Sequence, residues 1–344
     1  MSATQILAMF SGQGSQQVGM GKDLCSNFKM ARDIFEEASD AIGLNLKKLC
    51  FEGPESDLTL TQNTQPSLLT VSVASFRIAQ TETGFIPTVA AGHSLGEYSA
   101  LVATGAISLA TAARWVRARG LAMQKAVPAG QGTMAAVLNL DDGQIDGLCK
   151  AATESAKAKR ATGETSEMVV EAVVEPANFN APGQTVIAGS TDAVNEAITL
   201  IKAGGDFAGG KAIPLTVSAP FHCRLMKPAR EKMADIFSKA GSQDLPKTPN
   251  IFYAPNRTAR LTREAGLILE LLIEQVDHPV LWKQTITALL GSGMEKAVEF
   301  GPGKVLCGLV KRISQGADQA CSQYAVNDSN SLNGLNAFLK GGLK

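Results

Sequence analysis

Apolar residues along this chain form short continuous runs that alternate with stripes of helical spacing. The runs at 6–10 and 87–91 predict buried strands, because short apolar runs bounded by turn residues are typical of strands inside a sheet. Stripes of helical spacing occupy residues 65–84, 97–105 and 108–126. Strands that alternate with helices in this way predict a parallel sheet covered by helices.

The pattern changes near residue 130 and again after residue 218. Between these points it predicts strands at 133–138, 168–174, 184–188 and 211–217, with helices at 141–155 and 191–203. The order β-α-β-β-α-β is that of a ferredoxin-like unit. The polar stretch 156–167 has no aromatic residue, and we interpret it as a flexible surface insertion.

After residue 218 the first pattern resumes, with helices at 225–239, 263–276, 280–291 and 304–313 and strands at 250–253 and 296–300. The predicted fold is therefore an α/β parallel-sheet core with an inserted ferredoxin-like subdomain. We place the core domain at 1–128 and 213–344 and the subdomain at 129–212.

Composition narrows the possible functions. The 344 residues include 32 basic and 32 acidic side chains, so no global charge attracts nucleic acid or a membrane surface. The sequence shows no signal peptide and no apolar run of about 18 residues, so we expect no membrane span. The six cysteines are scattered without a C-x-x-C motif, which predicts reduced thiols in a cytoplasmic protein.

Residues 92–96 read Gly92-His93-Ser94-Leu95-Gly96, directly after the apolar run at 87–91. A G-x-S-x-G pentapeptide between a strand and a helix is typical of a nucleophile elbow, a sharp turn that exposes the serine hydroxyl. The helix that follows directs its N-terminal N–H groups towards the position of a developing oxyanion. We therefore predict that Ser94 is a nucleophile in acyl transfer.

A serine nucleophile needs a base, and the chain has 3 histidines. His93 lies inside the elbow, and we interpret it as structural. His222 follows a predicted strand in a proline-bent loop, a usual place for a catalytic side chain. His278 precedes Pro279, which restricts it to an extended backbone. A purely structural role stays open for both, and it is the stronger alternative for His278.

Arg119 stands out in the predicted helix at 108–126. At about 100° per residue it falls at the centre of an apolar arc that includes Trp115 and Met123, whereas Arg114 and Arg117 face the other way. A buried guanidinium requires a partner. The helical pattern leaves two alternatives open, namely an internal salt bridge and a bidentate contact with a substrate carboxylate.

The loop after the first strand contains Gly12-Gln13-Gly14. A dinucleotide fingerprint would require a third glycine at position 17, which is Gln17, and no Walker lysine follows. We reject both phosphate-binding interpretations. A glycine loop at the end of a strand can instead supply an oxyanion donor, and Gln13 has a side-chain amide suited to that.

Taken together, these motifs resemble those of the malonyl-CoA:acyl carrier protein transacylases of type II fatty-acid synthesis and the related acyltransferase domains of polyketide synthases. The resemblance extends from Ile6 to about Ile313. The motifs that carry it are Gly12-Gln13-Gly14-Ser15-Gln16, Thr64-Gln65-Pro66, Gly92-His93-Ser94-Leu95-Gly96-Glu97, Arg119-Gly120, Asn178-Phe179-Asn180-Ala181-Pro182-Gly183-Gln184, Phe221-His222, Gln275 before His278-Pro279, and Glu299-Phe300-Gly301-Pro302-Gly303.

The resemblance implies a role for each matching residue. Ser94 would take the acyl group as an ester, with His222 as its base and later the acid that protonates the leaving thiolate. The backbone carbonyl of Gln275 would orient the imidazole. Gln13 and the N–H of Leu95 would form the oxyanion hole.

The same resemblance implies the substrate and the fold. Arg119 would bind the free malonyl carboxylate, and the pocket would be lined by Gln65, Met123, Asn180 and Phe221. The substrates would be malonyl-CoA, a coenzyme A thioester, and the phosphopantetheine thiol of acyl carrier protein, with no cofactor and no metal. The family fold is a hydrolase-like α/β domain with an inserted ferredoxin-like subdomain, and we expect a monomer.

Two positions depart from the family pattern. Phe221 stands where many bacterial members have serine, and in polyketide acyltransferases phenylalanine there accompanies selection of malonyl over methylmalonyl. A large ring would crowd an α-methyl branch, which agrees with that preference. His278 stands where asparagine is common.

The leading hypothesis is a ping-pong malonyltransferase that supplies fatty-acid synthesis. A trans-acting polyketide synthase acyltransferase is the first alternative, and a serine hydrolase or thioesterase is a second. A hydrolase would need water to deacylate Ser94 and normally a triad acid before its histidine. A catalytically silent binding module is a further alternative, against which the intact Ser94, His222 and Arg119 argue.

Overall fold

The strands of this protein follow its apolar runs. The computed structural model describes residues 5–163, 168–217 and 219–341. In chain order the strands are β1 Gln5–Phe10, β2 Val89–Gly92, β3 Gly132–Leu138, β4 Val174–Ala181, β5 Gln184–Ser190, β6 Lys211–Pro214, β7 Phe252–Ala254, β8 Met294–Phe300 and β9 Ser322–Val326.

Helices connect most of these strands, and two single 3₁₀ turns lie at Gly205–Phe207 and Arg224–Met226. The helices are α1 Lys22–Asn27, α2 Lys29–Ile42, α3 Leu46–Glu52, α4 Glu55–Leu58, α5 Thr61–Thr83, α6 Gly96–Ala103, α7 Leu109–Lys125, α8 Asp142–Ala161, α9 Thr191–Ala203, α10 Lys227–Ser238, α11 Ala265–Glu274, α12 Trp282–Gly291, α13 Val305–Gly316 and α14 Ser329–Leu339. Within the described ranges, no helix combines the length and apolarity needed to cross a membrane.

The contacts divide the chain into two compact units. The first comprises Met1–Leu121, Lys239–Leu269 and Thr285–Lys344. The second comprises Ala122–Ser238 and Glu270–Gln284. This division assigns more of the chain to the second unit than the sequence-based boundaries at 128 and 213 do.

The first unit contains a five-stranded sheet in the order β7-β2-β1-β8-β9, in which every pair of neighbours is parallel. Its core includes Phe10, Phe76 and Phe300, and the rings of Phe10 and Phe76 meet edge to face with centroids 5.5 Å apart. Because the carboxyl ends of parallel strands share one edge, the loops after β1, β2, β7 and β8 lie at that edge. The predicted parallel α/β core is confirmed.

The second unit contains a four-stranded antiparallel sheet in the order β4-β5-β3-β6. Apolar residues of α8 and α9, among them Ile145, Leu148 and Val194, pack with Ile187 of β5 in one buried cluster. The chain order β3-α8-β4-β5-α9-β6 is the β-α-β-β-α-β order of a ferredoxin-like unit. The inserted subdomain that the sequence predicts is confirmed.

The predicted strand at 168–174 is wrong, because β4 begins where that prediction ends. β4 contains Pro176 and Asn178, residues that are rare in central strands, and its register with β5 shifts at two points. β4 lies at the edge of this sheet, where proline and bulges are tolerated. On its outer side it forms one isolated parallel bridge, in which the Phe179 N–H donates to the Val280 carbonyl at 3.0 Å. Because proline and asparagine interrupt the apolar run, the sequence pattern did not predict a strand at this position.

The predicted end of α8 near residue 155 is also wrong, and the helix continues to Ala161. Tertiary contacts hold the extra turns. Ser155 Oγ and Lys159 Nζ donate to the Glu196 carboxylate at 2.9 and 2.6 Å. Arg160 donates with two nitrogens to the carboxylate of Asp192, at 2.6 and 2.9 Å. The part of the predicted insertion at 156–161 is therefore helical, and residues 164–167 lie outside the described residues.

No disulfide joins the cysteines of the described residues. All six cysteines, which lie within the described ranges, are free. Burial raises the pKa of the Cys25 thiol to about 11 and that of Cys50 to about 12. These thiols are therefore protonated near neutral pH and poorly nucleophilic.

Candidate active site

The elbow at residues 92–96 connects β2 to α6 within the first unit. Ser94 has φ 52, in the left-handed region that L residues rarely occupy. The His93 N–H donates to the Phe10 carbonyl at 3.1 Å, which extends the pairing of β1 with β2 up to the turn. Such a conformation costs about 1–3 kcal/mol and persists only where its surroundings impose it.

The glycines of the motif make the sharp turn possible. A Cβ on Gly92 would lie 1.9 Å from the carbonyl oxygen of Gly96, a distance that backbone atoms cannot accommodate. The strand therefore passes directly against the first residue of α6 only because Gly92 has no side chain. The predicted strand–turn–helix context of Ser94 is present in the structure.

Arg119 lies in α7 and is 1% exposed, on the inward face that helical periodicity predicts. Its Nη1 donates to Gln65 Oε1 at 3.0 Å, and its Nη2 donates to Ser94 Oγ at 3.1 Å. The Tyr98 ring lies 5.8 Å from the guanidinium carbon. Burial lowers the pKa of Arg119 from its ordinary value, although a guanidinium keeps its proton in proteins. A cation is thus placed beside the candidate nucleophile.

The position of Arg119 depends on a close approach between α7 and α5. A Cβ on Gly120 would lie 2.6 Å from the Cα of Gln62, so only glycine fits there. This explains why Arg119 is followed by glycine. Arg114, on the opposite face, is exposed and donates to the Asp244 carboxylate at 2.6 Å.

The two predicted oxyanion residues also belong to the first unit. Leu95 follows Ser94 directly and is the N-cap of α6, where backbone N–H groups point out of the helix. The Gln13 side chain, in the loop after β1, donates from Nε2 to Thr61 Oγ1 at 3.3 Å. An amide nitrogen carries two N–H groups, and Thr61 accepts from one of them.

His222 and Gln275 lie together in the second unit. His222 is 3% exposed, and its Nδ1 lies 2.8 Å from the backbone carbonyl oxygen of Gln275. Because a carbonyl can only accept, Nδ1 carries the proton and Nε2 of the neutral ring is an acceptor. His222 also has φ 61, a left-handed conformation that the sequence did not indicate. The contact expected between this histidine and the Gln275 carbonyl is present.

His278 differs from His222 in its surroundings. It is half-buried, and its Nδ1 lies 2.7 Å from Asp277 Oδ1 and 2.9 Å from the Glu274 carbonyl.

The predicted pocket residues of the second unit are buried. They are Met123 near the end of α7, Asn180 in β4 and Phe221 beside His222.

The sequence analysis missed one residue that forms hydrogen bonds with the elbow. Asn256, which follows β7, is buried and forms hydrogen bonds with Ser94, Gly92 and Glu97. No periodicity or motif marks it, since its partners lie far away in the sequence.

No group of three or more His, Cys, Asp or Glu side chains is placed to hold a metal ion anywhere in the described part of the chain.

Known proteins resemble the chain over nearly its whole length. A family model described as an acyl transferase domain matches residues 8–326. The malonyl CoA-acyl carrier protein transacylase of Salmonella typhimurium is 43% identical over 310 residues, which cover 90% of this chain and 93% of that protein. The Bacillus subtilis protein of the same name is 41% identical over 312 residues, 91% of each chain.

Solved structures of malonyltransferases are similar to this chain in fold as well as in sequence. The acyl carrier protein S-malonyltransferase of Vibrio cholerae has a TM-score of 0.85 and 40% identity, covering 96% of this chain and all 100% of its own. A malonyl-transacylase solved in complex with its type II polyketide synthase acyl-carrier protein also has a TM-score of 0.85 and 40% identity. The match covers 96% of this chain and 98% of that chain.

We predict that Gly92→Ala abolishes activity and lowers the melting temperature, because the new Cβ would collide with the Gly96 carbonyl. Gly308→Ala is the matched control, since an added Cβ meets nothing within 4 Å there and the position lies inside α13. It should keep activity and be stabilised by about 0.5–1 kcal/mol. Thermal unfolding and acyl-transfer assays check both variants. A fully active Gly92→Ala would contradict the packing described for the elbow.

Proposed function

This chain belongs to the acyl transferase family, and from that membership we propose that it transfers malonyl groups from malonyl-CoA to the phosphopantetheine thiol of an acyl carrier protein. The similar proteins named above support this assignment. In our proposal the transfer proceeds through a malonyl ester on Ser94.

The observation that carries the choice of malonyl is the 3.1 Å hydrogen bond from Arg119 Nη2 to Ser94 Oγ. A malonyl ester on Ser94 has its free carboxylate one methylene away from the ester carbonyl, within reach of that guanidinium. A planar guanidinium binds a carboxylate through two parallel hydrogen bonds. An acetyl ester would instead place a methyl group beside a buried cation, which is unfavourable.

In the first half-reaction, Ser94 Oγ attacks the thioester carbonyl of malonyl-CoA. We assign His222 as the base that removes the serine proton and then donates it to the departing coenzyme A thiolate. The tautomer set by the Gln275 carbonyl supports this role, because it leaves Nε2 able to accept a proton. The Leu95 N–H and Gln13 are assigned to the oxyanion that forms during the attack.

In the second half-reaction, the carrier thiol gives its proton to His222 and attacks the malonyl ester. The ester C–O bond breaks, and His222 returns the proton to Ser94. Ser94 itself carries the acyl group, so the proposed reaction uses no cofactor and no metal. We propose that the protein acts as a monomer in the cytoplasm. Thiols such as these six free cysteines stay reduced in that compartment.

We propose fatty-acid synthesis as the pathway served. A trans-acting role in polyketide synthesis is the second candidate, and it is favoured by the similarity to a malonyl-transacylase solved with its type II polyketide synthase acyl-carrier protein. Competition between a fatty-acid carrier and a polyketide carrier for the malonyl-loaded chain, followed by intact mass, separates the two. A strong preference for the polyketide carrier would reassign the pathway and leave the chemistry unchanged.

We predict that mixing the protein with malonyl-CoA adds one malonyl group, and that Ser94→Ala eliminates this adduct without unfolding the chain. The reason is that the ester requires the Ser94 hydroxyl. Intact-mass spectrometry measures the adduct, and circular dichroism checks the fold. An adduct that persists in Ser94→Ala would show that another residue is the nucleophile.

We predict that His222→Ala slows malonyl transfer at least about a hundredfold, the usual effect of losing a general base. His278→Ala is the matched control and should cost much less. The measurement is kcat/KM for both variants with malonyl-CoA and carrier protein. If His278→Ala proved the more damaging substitution, His278 would become the candidate base.

We predict that Arg119→Ala lowers kcat/KM for malonyl-CoA at least about a hundredfold and lowers the ratio of malonyl to acetyl transfer. Two charge-assisted hydrogen bonds at roughly 1.5–3 kcal/mol each account for a loss of this size. Arg114→Ala is the control, because Arg114 lies on the exposed face of the same helix and pairs with Asp244. An unchanged malonyl-to-acetyl ratio in Arg119→Ala would mean that this arginine is only structural.

A further inference from the structure

The Asn256 side chain, which lies outside the G-x-S-x-G segment, bonds to both sides of the elbow turn. Its Oδ1 accepts from the Ser94 N–H at 2.6 Å, and its Nδ2 donates to the Gly92 carbonyl at 2.6 Å. Its own backbone N–H donates to Glu97 Oε2 at 3.1 Å. The residue is 2% exposed, so water does not compete for these bonds.

The strand pairing explains why a side chain is needed at this point. β2 pairs with β7 in parallel through Ala91 and Ala254, and Pro255 follows. Proline has no N–H, so the backbone of β7 cannot continue the ladder there. The side-chain amide of Asn256 takes over instead, since it offers one donor and one acceptor, as a peptide group does.

The contact with Glu97 extends this arrangement to the start of α6. Glu97 lies in the first turn of the helix and is 1% exposed. Its carboxylate accepts a hydrogen bond from the backbone N–H of Asn256. Asn256 therefore bonds to the end of the strand, to the turn and to the beginning of the helix. A carboxylate in the first turn also interacts favourably with the helix dipole.

We propose that Asn256 is a positioning residue, which holds Ser94 in its left-handed conformation so that Oγ is presented for acyl transfer. The inference rests on the proposed role of Ser94 as nucleophile. The strained φ of 52 requires outside support, and the two short bonds to Gly92 and Ser94 supply it on either side of the turn. Both bonds of the Asn256 side chain go to backbone atoms of the elbow, so Asn256 acts on the reaction through the serine backbone.

The first test is Asn256→Ala. Misplacing a reacting group by about 1 Å costs up to about a hundredfold in rate, so acylation should slow tenfold to a hundredfold. KM for malonyl-CoA should change little, because Arg119 keeps its hydrogen bond to Gln65. Single-turnover acylation by malonyl-CoA, quenched and read by intact mass, measures the rate per folded molecule, and thermal unfolding measures stability.

Ser75→Ala is the matched control. Ser75 is buried in the same unit and donates from Oγ to the Val326 carbonyl at 2.5 Å, away from the elbow. It should lower the melting temperature while its folded molecules are acylated at the wild-type rate. If Asn256→Ala behaves in the same way as Ser75→Ala, the residue is only structural and the inference is wrong.

The second variant, Asn256→Asp, separates positioning from bulk stability. A protonated carboxyl offers one donor and one acceptor as the amide does, whereas an ionised carboxylate can only accept and repels the Gly92 carbonyl. Acylation by Asn256→Asp, expressed relative to wild type at each pH, should therefore recover as pH falls through the pKa of the new carboxyl. Asn256→Ala should show no such recovery.

The outcomes distinguish this inference from the proposed function. If Asn256→Asp is slow at neutral pH and stays slow at low pH, or if Asn256→Ala is acylated at the wild-type rate while Ser94→Ala carries no adduct, only the positioning role fails. If the adduct persists in Ser94→Ala, the proposed nucleophile fails and the inference falls with it.

Discussion

The backbone conformation of Ser94 is the constraint on which the rest of the first unit's site depends. A residue with φ 52 at the end of a buried strand is unfavourable by itself, and the chain tolerates it only because several neighbours act together. Gly92 lets the strand pass against α6, the Phe10 carbonyl holds His93, and Asn256 bonds to both sides of the turn. The conformation presents Oγ beyond the carboxyl edge of the parallel sheet.

A second constraint is the burial of a cation next to that hydroxyl. Arg119 is 1% exposed, and removing a guanidinium from water is costly unless its N–H groups are bonded. Gln65 and Ser94 accept from it, and the Tyr98 ring lies beside it. A ligand carboxylate that took the place of these neutral acceptors would gain from the charge. In our proposal, the position that the helix gives to Arg119 is therefore what selects an acyl group with a free carboxylate.

The sequence predicted those features whose signals are local. The elbow is five consecutive residues, and the inward face of Arg119 follows from the 3.6-residue period of its own helix. Asn256 was missed because it bonds to Ser94 across 162 positions and leaves no periodic trace. The position of β4 was predicted wrongly because Pro176 and Asn178 interrupt the apolar pattern of that strand. The end of α8 was predicted too early because its last turns depend on ion pairs with α9. Features that depend on distant partners could not be derived from a pattern along the chain.

The central claim is that Ser94, held in a strained turn, carries a malonyl group whose carboxylate is bound by Arg119. A crystal structure of the protein after reaction with malonyl-CoA tests this most directly. Our account predicts continuous density from Ser94 Oγ to a malonyl ester, with the free carboxylate bonded to the Arg119 guanidinium and Ser94 still at positive φ beside Asn256. Density for malonyl on another residue, or a carboxylate that points to solvent while Arg119 keeps its bonds to Gln65 and Ser94, would contradict the account.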